Sequence, residues 1–206
     1  GAEPKLSTDP WSFSAPAQRN APFVLDMATS TAAGGKIRNR ATEGLPIPDG
    51  WAVDAQGEFV TDAERAFTIG AFLTPLGAKP ELSSHKGYGL AVMVNILSTC
   101  LSGGSLVTSE GHARRIPGTQ DLNHFFLVMR SDLFRPAAEF AADVDTLIDD
   151  LRATRPIHPD HPVLVAGDPE EIAKAERSRD GIAIAPGLVA RLREVAARCG
   201  APFLLI

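Results

Sequence analysis

The stretch Ser83-Ser84-His85-Lys86-Gly87-Tyr88-Gly89-Leu90-Ala91-Val92 decides the fold class. It comes close to the Gly-x-Gly-x-x-Gly turn of a Rossmann domain, but Val92 stands where the third glycine belongs. That glycine lets helix and strand pack closely, and a valine side chain blocks the approach. A doubly wound dinucleotide fold is therefore disfavoured. From Lys86 to Ser102 the apolar residues Leu90, Met93, Val94, Leu97 and Leu101 recur at helical spacing, with Ala91, Val92 and Ile96 leaving little polar surface elsewhere. We expect a buried helix here, stopped by Gly103-Gly104.

On the N-terminal side, the alternation Trp11, Phe13, Ala15 and the run Phe23-Val24-Leu25 predict two short strands with a turn around Pro16 to Asn20. Between Gly34 and Pro80 glycine and proline recur so densely that long helices are not expected, and Trp51 to Val60 reads as a small hairpin turning at Ala55-Gln56-Gly57. On the C-terminal side Ser105 to Leu122 is irregular, and Phe125 to Met129 is expected to be a buried strand. An amphipathic helix is predicted over Pro136 to Ala153, with Phe140, Val144, Leu147, Ile148 and Leu151 on one face. Val163-Leu164-Val165 is expected to be a strand running into a helix capped by Asp168, with Pro169 at its first position and Glu171 at its third, and stopped by Gly181. Ile182-Ala183-Ile184 is a last expected strand, and Pro186 to Arg198 a last helix ended by Gly200.

Two hundred and six residues, 44% of them apolar, suit one domain or a little more with a real core. The formal charge of −5 offers no broad basic surface, so neither nucleic acid nor an anionic membrane is an expected partner. Cys100 and Cys199 stand too far apart for a metal knuckle and are too few for a disulfide scaffold, which fits a cytoplasmic setting. No apolar run reaches the about 18 residues of a membrane span. The 18 glycines and 16 prolines imply long, shaped loops, where binding residues tend to sit.

Three corners can carry chemistry. Ser83 to Gly89 joins a helix start, a lysine charge and two glycines that admit a ligand closely, which suits a phosphate; equally, the glycines can serve only to start a helix under a packed loop. Asp26-Met27-Ala28-Thr29-Ser30-Thr31-Ala32 places a carboxylate, three hydroxyls and small side chains at a strand end, to line a polar pocket or simply to cap and pack. Ala166-Gly167-Asp168-Pro169 offers a carboxylate for a ribose hydroxyl or a helix cap. Among the histidines, His158 and His161 lie in a proline-bound loop without a third metal ligand, so no metal site is expected. His112 sits beside Arg114 and Arg115 in the irregular stretch, His124 reads as a core residue, and His85 adjoins Lys86. No Gly-x-Ser-x-Gly elbow is present, which weakens hydrolase readings.

Taken together, Asp26-Met27-Ala28-Thr29-Ser30, Gly35-Lys36, Pro46-Ile47-Pro48-Asp49-Gly50-Trp51-Ala52-Val53-Asp54, Gly57, Pro75-Leu76-Gly77 and Lys86-Gly87-Tyr88-Gly89-Leu90 resemble, in order and spacing, the type-2 malate/L-lactate dehydrogenase family. This family also holds ureidoglycolate, sulfolactate and diketogulonate oxidoreductases and piperideine-carboxylate reductases. The resemblance runs from Ser7-Thr8-Asp9-Pro10 to Gly181-Ile182. It implies an α/β (α+β) fold with a mixed, largely antiparallel sheet flanked by helices, a non-Rossmann site for NAD or NADP, and a homodimer. It assigns cofactor binding to Asp26, Met27, Ala28, Thr29, Ser30, Thr31 and Ala32, to His85 and Lys86, and to Gly167, Asp168 and Pro169. Asp9 stands where the family usually has Asn, and Ala166 where it usually has Pro.

The family's catalytic histidine lies in a Ser-His-Gly motif that this sequence lacks, and Ser84-His85-Lys86 is not that motif. The resemblance therefore places the catalytic histidine upstream of residue 1, with residues 1–206 as the cofactor-binding major part of one oxidoreductase missing its N-terminal helical segment. The expected reaction is hydride exchange between a nicotinamide and a 2-hydroxy acid or 2-oxo acid of the malate or lactate type. The alternative is a catalytically silent cofactor-binding or dimerisation module.

Overall fold

The computed structural model describes residues 3–106 and 121–205. The chain divides into two compact units, Gly1–Ile148 and Asp149–Ile206. Among the described residues both sheets are small and antiparallel and the rest is helix and shaped loop, so the α+β class read from the sequence holds.

In the first unit, β1 (Trp11–Ala15) and β2 (Phe23–Met27) form a hairpin with Trp11 opposite Met27 and Ala15 opposite Phe23. Its turn is held from a distance. Asp145, only 2% exposed, accepts hydrogen bonds from the main-chain N–H groups of Arg19 (2.8 Å) and Asn20 (2.9 Å) and from the Asn20 side chain (3.1 Å). After β2 the chain enters α1 (Gly34–Glu43), a ten-residue helix ended by Gly44 at φ 65°, where a left-handed residue is needed. The glycine-rich spacing gave no helix here, because Gly34 and Gly35 fall in its first turn, where propensity matters least.

β3 (Ala52–Val53) pairs with β4 (Phe72–Leu73), and α2 (Ala63–Thr68) lies between them in sequence, capped by Asp62 accepting from Arg65 N–H at 2.9 Å. The expected turn forms: Asp54 N–H donates to Glu58 O, Gly57 N–H to Asp54 O, and Val53 bridges Phe59. Ile37, Ile47, Ala52, Val60, Ala63 and Ala66 form the core of this region, with Trp51 and Leu73 packed against it. A short 3₁₀ turn (Pro80–Leu82) precedes α3 (Ser84–Asn95), which continues as a π turn over Ile96–Cys100.

Five expectations are corrected here. The helix from Ser84 is not buried all round: Gly87, Ala91 and Val94 face inward, while Tyr88, Leu90, Met93 and Ile96 are exposed. Small residues let that face approach its neighbour, and the larger ones are left outside. The Phe125–Met129 segment, expected as a buried strand, has no ladder partner among the described residues, and Phe126 and Val128 are 85% and 92% exposed. Apolar composition cannot make a strand without a neighbouring backbone to bond. His124 is exposed and stacks on Phe126, with ring centroids 6.1 Å apart, so it is not a core residue. Val163–Val165 and Ile182–Ile184 likewise have no ladder partner among the described residues.

α4 (Ala137–Ala153) carries the boundary between the units within it, and Ile148 is its most deeply buried apolar residue. The second unit adds α5 (Asp168–Asp180), stopped by Gly181, and α6 (Pro186–Cys199), stopped by Gly200 at φ 63°. Both cysteines are unpaired and exposed. No helix is long and apolar enough to cross a membrane among the described residues.

Candidate functional site

At the end of β2 the chain must turn out of the hairpin, and it does so by bonding to two other loops. Thr29, 1% exposed, donates its N–H to Thr8 O at 2.9 Å and its hydroxyl to Thr8 O and Asp9 O at 3.0 and 3.1 Å. Ser30 bridges Pro75, its hydroxyl donating to Ala32 O at 2.8 Å. Thr31 donates its N–H to Thr74 O and its hydroxyl to Pro75 O at 2.6 Å. All three hydroxyl protons are thus committed to main-chain carbonyls. They build the corner, keeping only lone pairs for a ligand, and the groups left facing outward are Asp26 with the partly covered Met27 and Ala28. Asp26 is exposed and forms no ion pair among the described residues.

The second corner meets the first at one residue. Leu76 donates its N–H to Thr29 O at 2.9 Å, and the same residue faces Gly87 across α3. A Cβ at position 87 would fall on the Leu76 main-chain O and N and on its Cβ, well inside van der Waals contact, so only glycine permits the approach. Lys86, the preceding residue, is exposed and makes no ion pair among the described residues. His85 is exposed beside it. The loop leading there contains Gly77 at φ 91° and two non-glycine residues in the left-handed region, Ala78 (φ 52°) and Ser83 (φ 61°). Ser83 is the N-cap residue of α3 yet supplies no side-chain cap, and the Ser84 and Lys86 N–H groups bond to Lys79 O and Ser83 O. A ligand anion at this helix start would therefore rely on the Lys86 ammonium more than on a row of free amides.

The third corner, in the second unit, differs from its reading in the sequence. Gly167, at φ 104°, is the N-cap of α5, and Asp168 is its first helical residue with Pro169 next. The Asp168 carboxylate is held by the Arg152 guanidinium in a two-pronged pair (Nη2 to Oδ1 2.6 Å, Nε to Oδ2 3.1 Å) and by Val165 N–H at 3.0 Å. The Arg152 hydrogen bonds keep its carboxyl below the usual aspartate range despite partial desolvation. Spacing gave no warning of this pair, since sixteen residues and a proline-rich loop separate the partners. Beside it lies an open hollow of about 360 Å³ lined by Arg152, Val163, Leu164, Asp168, Glu171 and Ile172.

A comparable hollow of about 400 Å³ between α1 and α2, lined by Ala41, Leu45, Thr61 and Glu64 among others, contains none of the residues that the resemblance assigns to cofactor binding. His158 and His161 are exposed, with rings 6.2 Å apart, and no group of three metal-ligating side chains exists among the described residues. His112, Arg114 and Arg115 lie outside the described residues.

Residues 1–193 match the malate/L-lactate dehydrogenase family profile. The chain belongs to this family. Its fold agrees as well: the malate dehydrogenase structure from Entamoeba histolytica superposes with a TM-score of 0.87 at 26% identity, over 98% of this chain and 57% of that one. Curated relatives include the malate dehydrogenase of Pyrococcus abyssi, 35% identical over 97% of this chain and 54% of its own length. The L-sulfolactate dehydrogenase of Methanothermobacter thermautotrophicus is 33% identical over 95% of this chain and 53% of its own length. The chain spans about half the length of these relatives. The described residues hold two small antiparallel sheets and no doubly wound parallel one, in keeping with the missing Gly-x-Gly-x-x-Gly turn.

Proposed function

We propose that this chain carries the nucleotide-binding part of an NAD- or NADP-dependent oxidoreductase that exchanges hydride with a 2-hydroxy acid or 2-oxo acid. The observation that carries this is the meeting of two corners at Leu76, which locks together the end of β2 with the Asp26 carboxylate and the first turn of α3 with the Lys86 ammonium, neither of which has an ion-pair partner among the described residues. Lys86 supplies charge for a phosphate, and His85 a neighbouring donor. Asp26, Met27 and Ala28 offer an acceptor and a small-residue wall, with Thr29, Ser30, Thr31 and Ala32 fixing their course. In the second unit, Gly167, Asp168 and Pro169 are the residues that the family resemblance assigns to the nucleotide, with Arg152 orienting Asp168.

When bound, the nicotinamide supplies the hydride-accepting carbon; the residues named here bind and orient it. Relatives named malate and sulfolactate dehydrogenases support the 2-hydroxy acid class of substrate. The working form is a cytoplasmic homodimer: exposed apolar side chains on α3 favour association, and two free thiols suit a reducing compartment. Neither nucleic acid nor membrane is a partner in this reading.

Titration with NADH and with NADPH, followed by nucleotide fluorescence, tests it. Saturable binding of one or both is expected, and the preferred nucleotide identifies the cofactor. Failure of both to bind at millimolar concentration overturns the proposal. A panel of malate, lactate and ureidoglycolate then reads substrate choice, and turnover by this chain alone refutes the silent role.

A further inference from the structure

Asp9 occupies an unusual position. It is 7% exposed, its backbone lies in the left-handed region at φ 32°, and its Oδ2 is the buried side-chain oxygen that finds no hydrogen-bond partner among the described residues. The groups that face it are neutral: the Ser7 main-chain N–H, the Asn95 side chain at the end of α3, and Thr29 through the Asp9 carbonyl. Among the described residues no lysine, arginine or histidine offsets its charge, and burial pushes its carboxyl above the usual aspartate value of 3.8, against the weaker opposing pull of Asn95 and Ser7.

The Asp9 backbone belongs to the corner described above. Both carbonyls flanking its amide and side chain, Thr8 O and Asp9 O, receive the hydrogen bonds that pin Thr29, and Thr29 O in turn receives the Leu76 N–H that leads to Gly87 and Lys86. An ionised carboxylate with one buried oxygen left without a donor is costly in this place. It is relieved by turning toward water, which moves a backbone already in a sparsely populated conformation and draws both carbonyls away from Thr29.

We infer that Asp9 is a positioning residue for the nucleotide cradle: its neutral form holds the Thr29 corner in the binding geometry, and its ionised form loosens that corner. The inference rests on the reading of Asp26 to Ala32 and Lys86 as a dinucleotide site. It assigns to Asp9 no contact with the nucleotide, only control over the segment that makes one. Binding is then linked to protonation, because the cradle that binds retains a proton that the loosened one gives up.

The experiment is calorimetric titration of the chain with NAD⁺ and NADP⁺ from acid to mildly alkaline pH, for the unaltered protein and for Asp9→Asn, which is isosteric and cannot ionise. The unaltered protein should lose affinity by about tenfold for each pH unit above the Asp9 pKa of the free chain, until the bound form also ionises. Asp9→Asn should bind with a nearly flat profile over the same range. Superimposable profiles for the two proteins overturn the inference. Should Asp9→Asn fail to fold, proton uptake on NAD⁺ binding to the unaltered protein, read in buffers of different ionisation enthalpy, decides the matter: uptake supports the inference, and none at any pH overturns it. Absence of dinucleotide binding at every pH overturns the site itself and Asp9's role with it, an outcome distinct from binding that persists without pH dependence.

Discussion

Lys86 presents a cation to solvent with no carboxylate partner among the described residues, at a point where the backbone on both sides is fixed by other contacts. Removing the charge should therefore cost binding and little else. Lys86→Ala is expected to weaken NADH or NADPH binding by about ten- to a hundredfold, the range for losing one hydrogen bond to a charged group. Thermal unfolding of the same variant should stay within a degree or two of the unaltered chain. Asp145 is the opposite case, a carboxylate with every contact inside the fold. Hydrogen bonds from the Asn20 N–H, then the Arg19 N–H and the Asn20 side chain, hold its pKa below 3.8 against desolvation. A depressed native pKa gives stability that is complete above the unfolded value and disappears as pH falls through the native one. Acid unfolding followed by circular dichroism should thus show Asp145→Asn less stable than the unaltered chain near neutrality, with the difference shrinking below pH 3.8. A constant difference down to the lowest pH would contradict the assignment.

At the scale of the element, α3 sets two glycines of the same sequence motif in opposite circumstances. Gly87 is pressed against Leu76, and Gly89 has open space where a Cβ would go. Gly87→Ala should destabilise by about 1–3 kcal/mol, because the helix gain of an alanine is smaller than the cost of forcing Leu76 aside. Gly89→Ala should stabilise by about 0.5–1 kcal/mol. Denaturant unfolding of the pair reads both signs, and two stabilised variants would mean that Gly87 is not the contact point. The sequence reveals the motif and the helix start but not this asymmetry, since two glycines in one turn look alike until a neighbour is placed. The same reasoning separates the elements that were legible from those that were not. The β1–β2 hairpin, α4 and the stops at Gly181 and Gly200 follow from local patterns, and all appear. The segments at Phe125, Val163 and Ile182 carry strand-like composition, but a strand is completed by another chain segment, and composition says nothing about where that segment is. The Arg152–Asp168 pair and the lone oxygen of Asp9 escape sequence reading for a related reason: each is a fact about distance, and neither spacing nor residue type encodes it.

Over the whole molecule, apolar side chains that a finished core would hide remain uncovered, among them Phe126, Val128 and Phe134. Exposed surface of this kind drives association. Sedimentation should show the chain self-associating as its concentration rises, and Phe126→Ser with Val128→Ser should reduce that association without lowering the unfolding temperature, since neither side chain supports the fold. Equal association before and after substitution would locate the sticky surface elsewhere. The division into two units also gives the unpaired thiols a use. Cys100 belongs to the first unit and Cys199 to the second, and both are open to solvent. A donor dye on one and an acceptor on the other would report, by energy transfer and without any engineered residue, whether adding a nucleotide changes the separation of the two thiols.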